Sequence, residues 1–178
     1  MKLPTATLAA FLIAIPAHAQ TASAPAAPPA NPCADTSHHA FDFWVGRWEV
    51  RPYGGGALVA HSLIEQLYGG CAIRENWMPL KGTGGGSLSN YDAALGSWHQ
   101  SWVDSTGTRV EFTGGIEGAA MVLIGPWRGV ANGADGDVRM TYTREPNGAV
   151  RQKGEVSTDH GKTWSPSFDF LYTPEKSE

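Results

Sequence analysis

The chain has little of what marks a helical protein, a nucleotide site or a catalytic nucleophile. From Arg47 onward no apolar pattern of helical spacing recurs, which excludes a helical bundle and the strand–helix alternation of a parallel sheet. Positive charge is scarce: 13 Lys and Arg face 17 Asp and Glu, without a basic cluster. Neither nucleic acid nor an anionic membrane surface is therefore an expected partner. Cysteines number two, Cys33 and Cys71, and the absence of a C-x-x-C pair excludes a dithiol redox motif. His38, His39, His61, His99 and His160 lack the spacing of a zinc or facial-triad site, so no metal is expected. No serine stands in a G-x-S-x-G elbow, and neither cysteine has a histidine partner identifiable by motif. The run KGTGGGS at 81–87 lacks the Gly-Lys-Ser/Thr ending, and no helix follows it. It reads as a flexible hairpin at a barrel mouth, not a phosphate loop, and no cofactor is expected.

Long apolar runs are missing too. Leu8 to Ile15, LAAFLIAI, is too short to cross a bilayer as a helix. With Lys2 before it and the triplet Ala17, His18, Ala19 after it, residues 1–19 have the form of a secretory signal peptide cleaved near Ala19. No cysteine follows that site and no twin arginine precedes it, so neither a membrane anchor nor export of a folded, cofactor-loaded chain is expected. The expected location is periplasmic or secreted. Cleavage removes Lys2 alone among charged residues, leaving 12 basic against 17 acidic and a net charge of −5. Residues 20–37, opening with QTASAPAAPPANP, read as an Ala/Pro-rich tether whose Pro-rich part is extended and not expected to pack. In an oxidising compartment the even cysteine count favours a Cys33–Cys71 disulfide, contributing about 3–4 kcal/mol in the chain-entropy model. Two separate buried thiols are the alternative.

What is abundant is aromatic residues and glycine-punctuated alternation. FDFWVGRWEV at 41–50 gathers Phe41, Phe43, Trp44 and Trp48 around Gly46. Gly46 allows a sharp bend into a first strand, and Trp48 is large enough to fill the closed end of a small barrel. Beyond it, alternation with a period near two gives strands at 47–53, 58–67, 72–78, 87–91, 98–104, 109–113, 120–125, 137–144, 150–157 and 167–172. Turn signals separate them: Gly54 to Gly56, Gly69-Gly70, Gly82 to Gly86, Ala94 to Gly96, Gly114-Gly115, Asn132 to Gly136 and Asn147-Gly148. Short links make neighbours antiparallel, and about ten strands avoid two exposed edges by closing. The fold expected over 38–174 is all-β: a single antiparallel up-and-down barrel.

Ser157 to Trp164, STDHGKTW, matches the Asp-box pattern S-x-D-x-G-x-T-W and resembles the hairpin turns of sialidase propellers. One copy cannot make a propeller, so Asp159, Gly161 and Trp164 are expected to be structural, with Asp159 capping the turn and Gly161 in a left-handed conformation. The opening FDFW-x-G-x-W resembles a family of secreted, uncharacterised bacterial lipocalin-like domains. The resemblance continues through Cys71-Ala-Ile-Arg-Glu75-Asn-Trp77, Asn90-Tyr-Asp92, Gly96-x-Trp98-x-Gln100-x-Trp102-Val-Asp104, the Asp-box turn, Phe168-Asp169 and Tyr172. It implies a calycin-type barrel with an internal cavity and carries no activity. True lipocalins place a late arginine over the Trp of G-x-W, and no arginine follows Arg151, which leaves a retinoid- or steroid-like ligand unsupported. Haem-binding relatives of the barrel use a late histidine; here His160 falls in a turn.

Strand periodicity then selects candidate lining residues. Trp98, Gln100, Trp102 and Asp104 share one strand face, and Ile73, Glu75 and Trp77 share another. Glu75, Trp77, Trp98, Gln100 and Trp102 are expected to point inward, joined by Arg139 and Gln152. Rings supply contact area and a few polar atoms orient a ligand. Alternatively, the tryptophans fill a solid core and Glu75 pairs with an arginine inside it. The leading expectation is an exported module binding a small, partly apolar molecule. A second is an isomerase, cyclase or hydrolase using Glu75 as general acid/base. A third is a ligand-free structural or interaction domain.

Overall fold

A computed structural model describes residues 30–176. The expected signal peptide and residues 20–29 of the tether lie outside the described residues. Ten strands run β1 Gly46–Pro52, β2 Ala60–Leu67, β3 Ala72–Pro79, β4 Gly85–Asp92, β5 Ser97–Asp104, β6 Arg109–Glu117, β7 Ala120–Ala131, β8 Ala134–Arg144, β9 Val150–Ser157 and β10 Ser165–Pro174. Each pairs antiparallel with its sequence neighbours, and β1 also pairs with β10, so the sheet closes into an up-and-down barrel. The expected fold class stands.

Alternation explains which side chains face the core. On β8, Val138, Met140 and Tyr142 are buried, while Arg139 and Thr141 between them are not. On β9, Val150, Gln152 and Gly154 are buried and alternate with Arg151 and Lys153. Outward charges pair across strands, Arg74 with Glu65, Arg139 with Glu155 and Arg151 with Asp169, and along β9, Lys153 with Glu155.

The turn expected at Gly114-Gly115 lies inside β6, and the real β6–β7 turn follows Glu117. A Cβ on Gly114 would fall 2.0 Å from the Val122 carbonyl oxygen, so this glycine permits close strand approach and marks no turn. Gly85 and Gly86, also expected in a turn, belong to β4 for a related reason. A Cβ on Gly85 would lie 2.7 Å from the Trp102 ring, and one on Gly86 2.6 Å from the Glu75 carbonyl oxygen.

One end of the barrel is plugged. Residues Asp42–Trp44 form a single 3-10 turn that carries Phe41 and Trp44 inside, both fully buried. Phe41 stacks on Trp44 at 5.0 Å and meets Trp98 and Tyr142 edge-on at 5.7 and 4.9 Å. The Trp48 indole N–H donates to the Trp44 carbonyl at 2.9 Å. The missing Cβ of Gly46 leaves that indole room, since a Cβ there would sit 3.1 Å from it. Gly46 and Trp48 thus hold the structural positions expected of them. Burying rings of this size stabilises by about 2–3 kcal/mol each.

The segment before the plug is fastened to the same end. Cys33 and Cys71 form a disulfide across 38 residues, with Cα atoms 5.1 Å apart. Asn31 Nδ2 donates to the Gly69 carbonyl at 2.6 Å. Asp35 accepts the backbone N–H groups of Ser37 and His38 and pairs with the His38 ring, which packs edge-on against Tyr91. The last residues of the tether, from Asn31, are therefore part of the packed domain.

Candidate functional site

Away from the plug the barrel interior becomes polar, then hollow. The polar layer is built from three hydrogen-bonded sets that each join neighbouring strands. Gln100 Nε2 donates to Ser89 Oγ at 3.0 Å. Gln152 Nε2 donates to the Tyr142 hydroxyl oxygen at 2.9 Å, and the Tyr172 hydroxyl donates to Gln152 Oε1 at 2.7 Å. Ser87 Oγ donates to Glu75 Oε2 at 3.0 Å. Low dielectric strengthens such bonds and makes each unpaired group costly, so the layer fixes the rotamers of its members.

Above it, a cavity of about 160 Å³ opens at the unplugged end. Its lining is Trp77 from β3, Trp102 from β5, Trp127 from β7 and Phe168 and Phe170 from β10, over a base of Glu75, Met140, Gln152 and Tyr172. The five rings are half-buried and the four base residues buried. Two glycines make space for the rings. Gly85 accommodates Trp102, and Gly154 lets Phe168 lie across β9, where a Cβ would be 2.2 Å from that ring. Phe168 and Phe170 stack at 5.3 Å, and Phe170 lies 5.8 Å from Trp77.

Glu75 is the acidic residue of this lining, and no Lys, Arg or His joins it. Burial pushes its carboxyl up to about 7, against the opposing Ser87 hydrogen bond. Ser87 donates to Oε2, and Oε1 is left facing the cavity without a hydrogen bond from the described residues. Burial, then the nearby Glu75 charge, raises the Tyr142 and Tyr172 hydroxyls well above the ordinary phenol range. Glu75 therefore changes charge near neutrality while both tyrosines stay neutral. The arrangement can lend or take one proton beside an apolar space.

The seven expected lining residues divide into three groups. Glu75, Trp77, Trp102 and Gln152 reach the cavity. Trp98 and Gln100 point inward but sit lower, Trp98 against the plug and Gln100 in the polar layer. Arg139 is a correction: it points outward, bonded to Glu155 at 2.8 Å with its guanidinium 4.3 Å above the Trp164 ring. The alternation Val138, Met140, Tyr142 forces this, because burying an unpaired guanidinium is far costlier than burying methionine. The alternative in which Glu75 pairs with an arginine inside the core is likewise not realised, since Glu75 is bonded to Ser87.

Sequence reasoning missed Trp127, Met140, Phe168, Phe170 and Tyr172. The alternation of Phe168, Phe170 and Tyr172 was a usable signal. Trp127 was hidden because Gly125-Pro126 reads as a strand end, whereas β7 runs on to Ala131 with a register irregularity after Trp127. The expected structural turn is built as an Asp-box. Asp159 Oδ1 accepts the Thr163 N–H at 2.9 Å, Ser157 Oγ accepts the Gly161 N–H at 2.8 Å, and Gly161 has φ 78°. The Trp164 N–H donates to the Gly161 carbonyl at 3.1 Å. None of these turn residues lines the cavity. No protein-family model matches the chain, and no curated protein shows significant similarity to it.

Proposed function

We propose that this chain is an exported, lipocalin-like binding protein that holds a small, partly apolar molecule at the open end of its barrel. The observation that carries this reading is the aromatic-walled cavity of about 160 Å³ with a single buried acid at its base. A closed apolar cavity of about 150 Å³ takes up benzene, so this one suits a single ring or a short branched chain, or the head of a longer molecule whose tail emerges at the mouth. That size disfavours retinoids and steroids. Export is supported by the Cys33–Cys71 disulfide, which persists in an oxidising compartment. Among the described residues no helix is long and apolar enough to cross a membrane.

The test is tryptophan fluorescence with small apolar probes, because three indoles line the cavity. Wild type should show saturable quenching. Trp102→Ala should lose about tenfold or more in probe affinity while costing about 1–2 kcal/mol of stability, since the ring is only half-buried. A cooperative collapse of Trp102→Ala, with no probe bound by wild type, would overturn the reading.

A second reading is favoured by one observation, the Glu75 carboxyl held near 7 beside the cavity. An acid at that value serves as general acid or base at neutral pH, so the same cup could host a proton-transfer reaction. A pH–rate profile breaking near 7, with the break lost in Glu75→Gln, would support it.

A further inference from the structure

Resting on the binding reading above, we propose that the ligand is a small organic cation, an alkylammonium or quaternary ammonium compound, seated among Trp77, Trp102 and Phe170 with its charge toward Glu75. Three observations point there together. The walls are aromatic faces, which attract cations through the ring quadrupole, Trp most strongly, and gain further when water is excluded. The ionisable acid at the base is a carboxyl, and no basic side chain lines the space, so an anionic ligand would meet no counter-charge and an ionised Glu75 would repel it. Glu75 keeps one oxygen for the cavity: Ser87 donates to Oε2, while Oε1 takes no hydrogen bond from the described residues and is not sealed off as a buried unpartnered atom, so it is open to a ligand. A cation could pair directly with Oε1. A neutral apolar ligand would leave that oxygen as it is.

The elements facing Glu75 supply no competing charge. Ser87 approaches from β4, Tyr142 from β8, Gln152 from β9 and Tyr172 from β10, and both tyrosines remain neutral at physiological pH. Binding a cation therefore favours the ionised carboxylate and releases its proton to solvent. With the free acid near 7, affinity should rise with pH by up to about tenfold per unit below 7 and level off above it. The same coupling predicts no net proton release above about pH 8, where the acid is already ionised.

Choline and its uncharged carbon isostere dimethylbutanol have nearly the same shape and differ in charge, so they test the assignment directly. Calorimetric titration of the mature protein at pH 6 and pH 8, each in two buffers of different ionisation heat, reads affinity and proton release together. The expected result is about a tenfold or greater preference for choline at pH 8, a weaker choline affinity at pH 6, and close to one proton released at pH 6. In Glu75→Gln the preference for choline over dimethylbutanol should collapse. If that variant fails to fold, the wild-type proton release still decides. Equal binding of both probes without proton release, or better binding of the alcohol, would overturn the cation assignment and leave the cup intact. Binding of neither choline, dimethylbutanol nor a fluorescent apolar probe would overturn the assignment together with the binding reading beneath it.

Discussion

The two ends of the barrel use the same residue types for opposite purposes. At the closed end Phe41, Trp44, Trp98 and Tyr142 meet ring to ring at about 5–6 Å and are almost wholly buried. At the open end Trp77, Trp102, Trp127, Phe168 and Phe170 are no less aromatic but stay half-buried around a hollow. The difference is the plug. The chain before β1 folds back into one mouth and is stapled there by the disulfide, and no corresponding segment fills the other mouth among the described residues. Aromatic content alone therefore does not separate core from site. Whether each ring has a neighbour on every side does.

The sharpest way to break this contrast is to truncate one ring at the filled end. Trp44→Ala should cost about 3–5 kcal/mol, enough to unfold a domain of ordinary stability, as seen in a thermal melt by circular dichroism. The Trp44 indole N–H is buried without a partner, so Trp44→Phe should cost much less than Trp44→Ala. If Trp44→Ala were as mild as Trp102→Ala, the two ends would not differ in packing. Next in size is the staple. Replacing both Cys33 and Cys71 by serine frees a 38-residue loop in the unfolded chain and should lower stability by about 3–4 kcal/mol in chemical denaturation. The loss should appear as a shifted midpoint. Probe binding by the fraction that remains folded should persist, because the bridge lies at the plugged end.

How much of this could be read from the sequence follows the same division. The strands were legible because one face of nearly every strand is buried, which imposes a period of two on Ile73, Glu75 and Trp77 or on Trp98, Gln100 and Trp102. The disulfide was legible from a count of two cysteines in a sequence that reads as exported. The depth of a residue inside the barrel was not legible. Trp98 and Trp102 share a face four residues apart, yet one abuts the plug and the other a void, because depth depends on register with strands far away in sequence. Glycine misled twice in the same way: Gly114-Gly115 resembles a turn and lies inside β6, with Gly114 in close strand contact, and Gly125-Pro126 resembles an end and is mid-strand. Arg139 was misplaced against its own strand, whose apolar members are Val138, Met140 and Tyr142.

A gentler probe of the open end is the acid at its base. The Glu75 carboxyl is raised to about 7 in the folded state, so between about 4.5 and 7 the native protein holds a proton that the unfolded chain has lost. Stability should therefore fall as pH rises through that window, to a penalty of order 3 kcal/mol above it. Glu75→Gln removes the penalty. It should melt higher than wild type at pH 8 by up to about 3 kcal/mol, and the gain should vanish below pH 4.5. Urea denaturation of both proteins at pH 4, 6 and 8 checks the sign. A variant less stable than wild type at pH 8 would mean that the carboxylate is favourably solvated inside the cavity.

The smallest effect is expected where the open end is furthest from the cavity, at the turn joining β9 to β10. Asp159 is half-buried, and its bonds are local: it accepts the Thr163 hydroxyl and backbone N–H and the Ser157 hydroxyl. Those bonds, with Thr163 first, hold its carboxyl down to about 2. A depressed folded value means the contribution is fully present above the ordinary carboxylate range and is lost as pH falls through about 2. Asp159→Ala should thus lower the melting temperature slightly at pH 5–8, and the gap from wild type should close between about pH 4 and 2. Asp159→Asn, which keeps an acceptor oxygen of the same reach, should recover part of the loss. Probe affinity should be unchanged in both, because neither Asp159 nor Trp164 lines the cavity. If affinity fell with stability, the turn would be shaping the mouth. Its contact with the interior would then have to run through Arg139, whose guanidinium covers Trp164 while its strand neighbour Met140 floors the cavity.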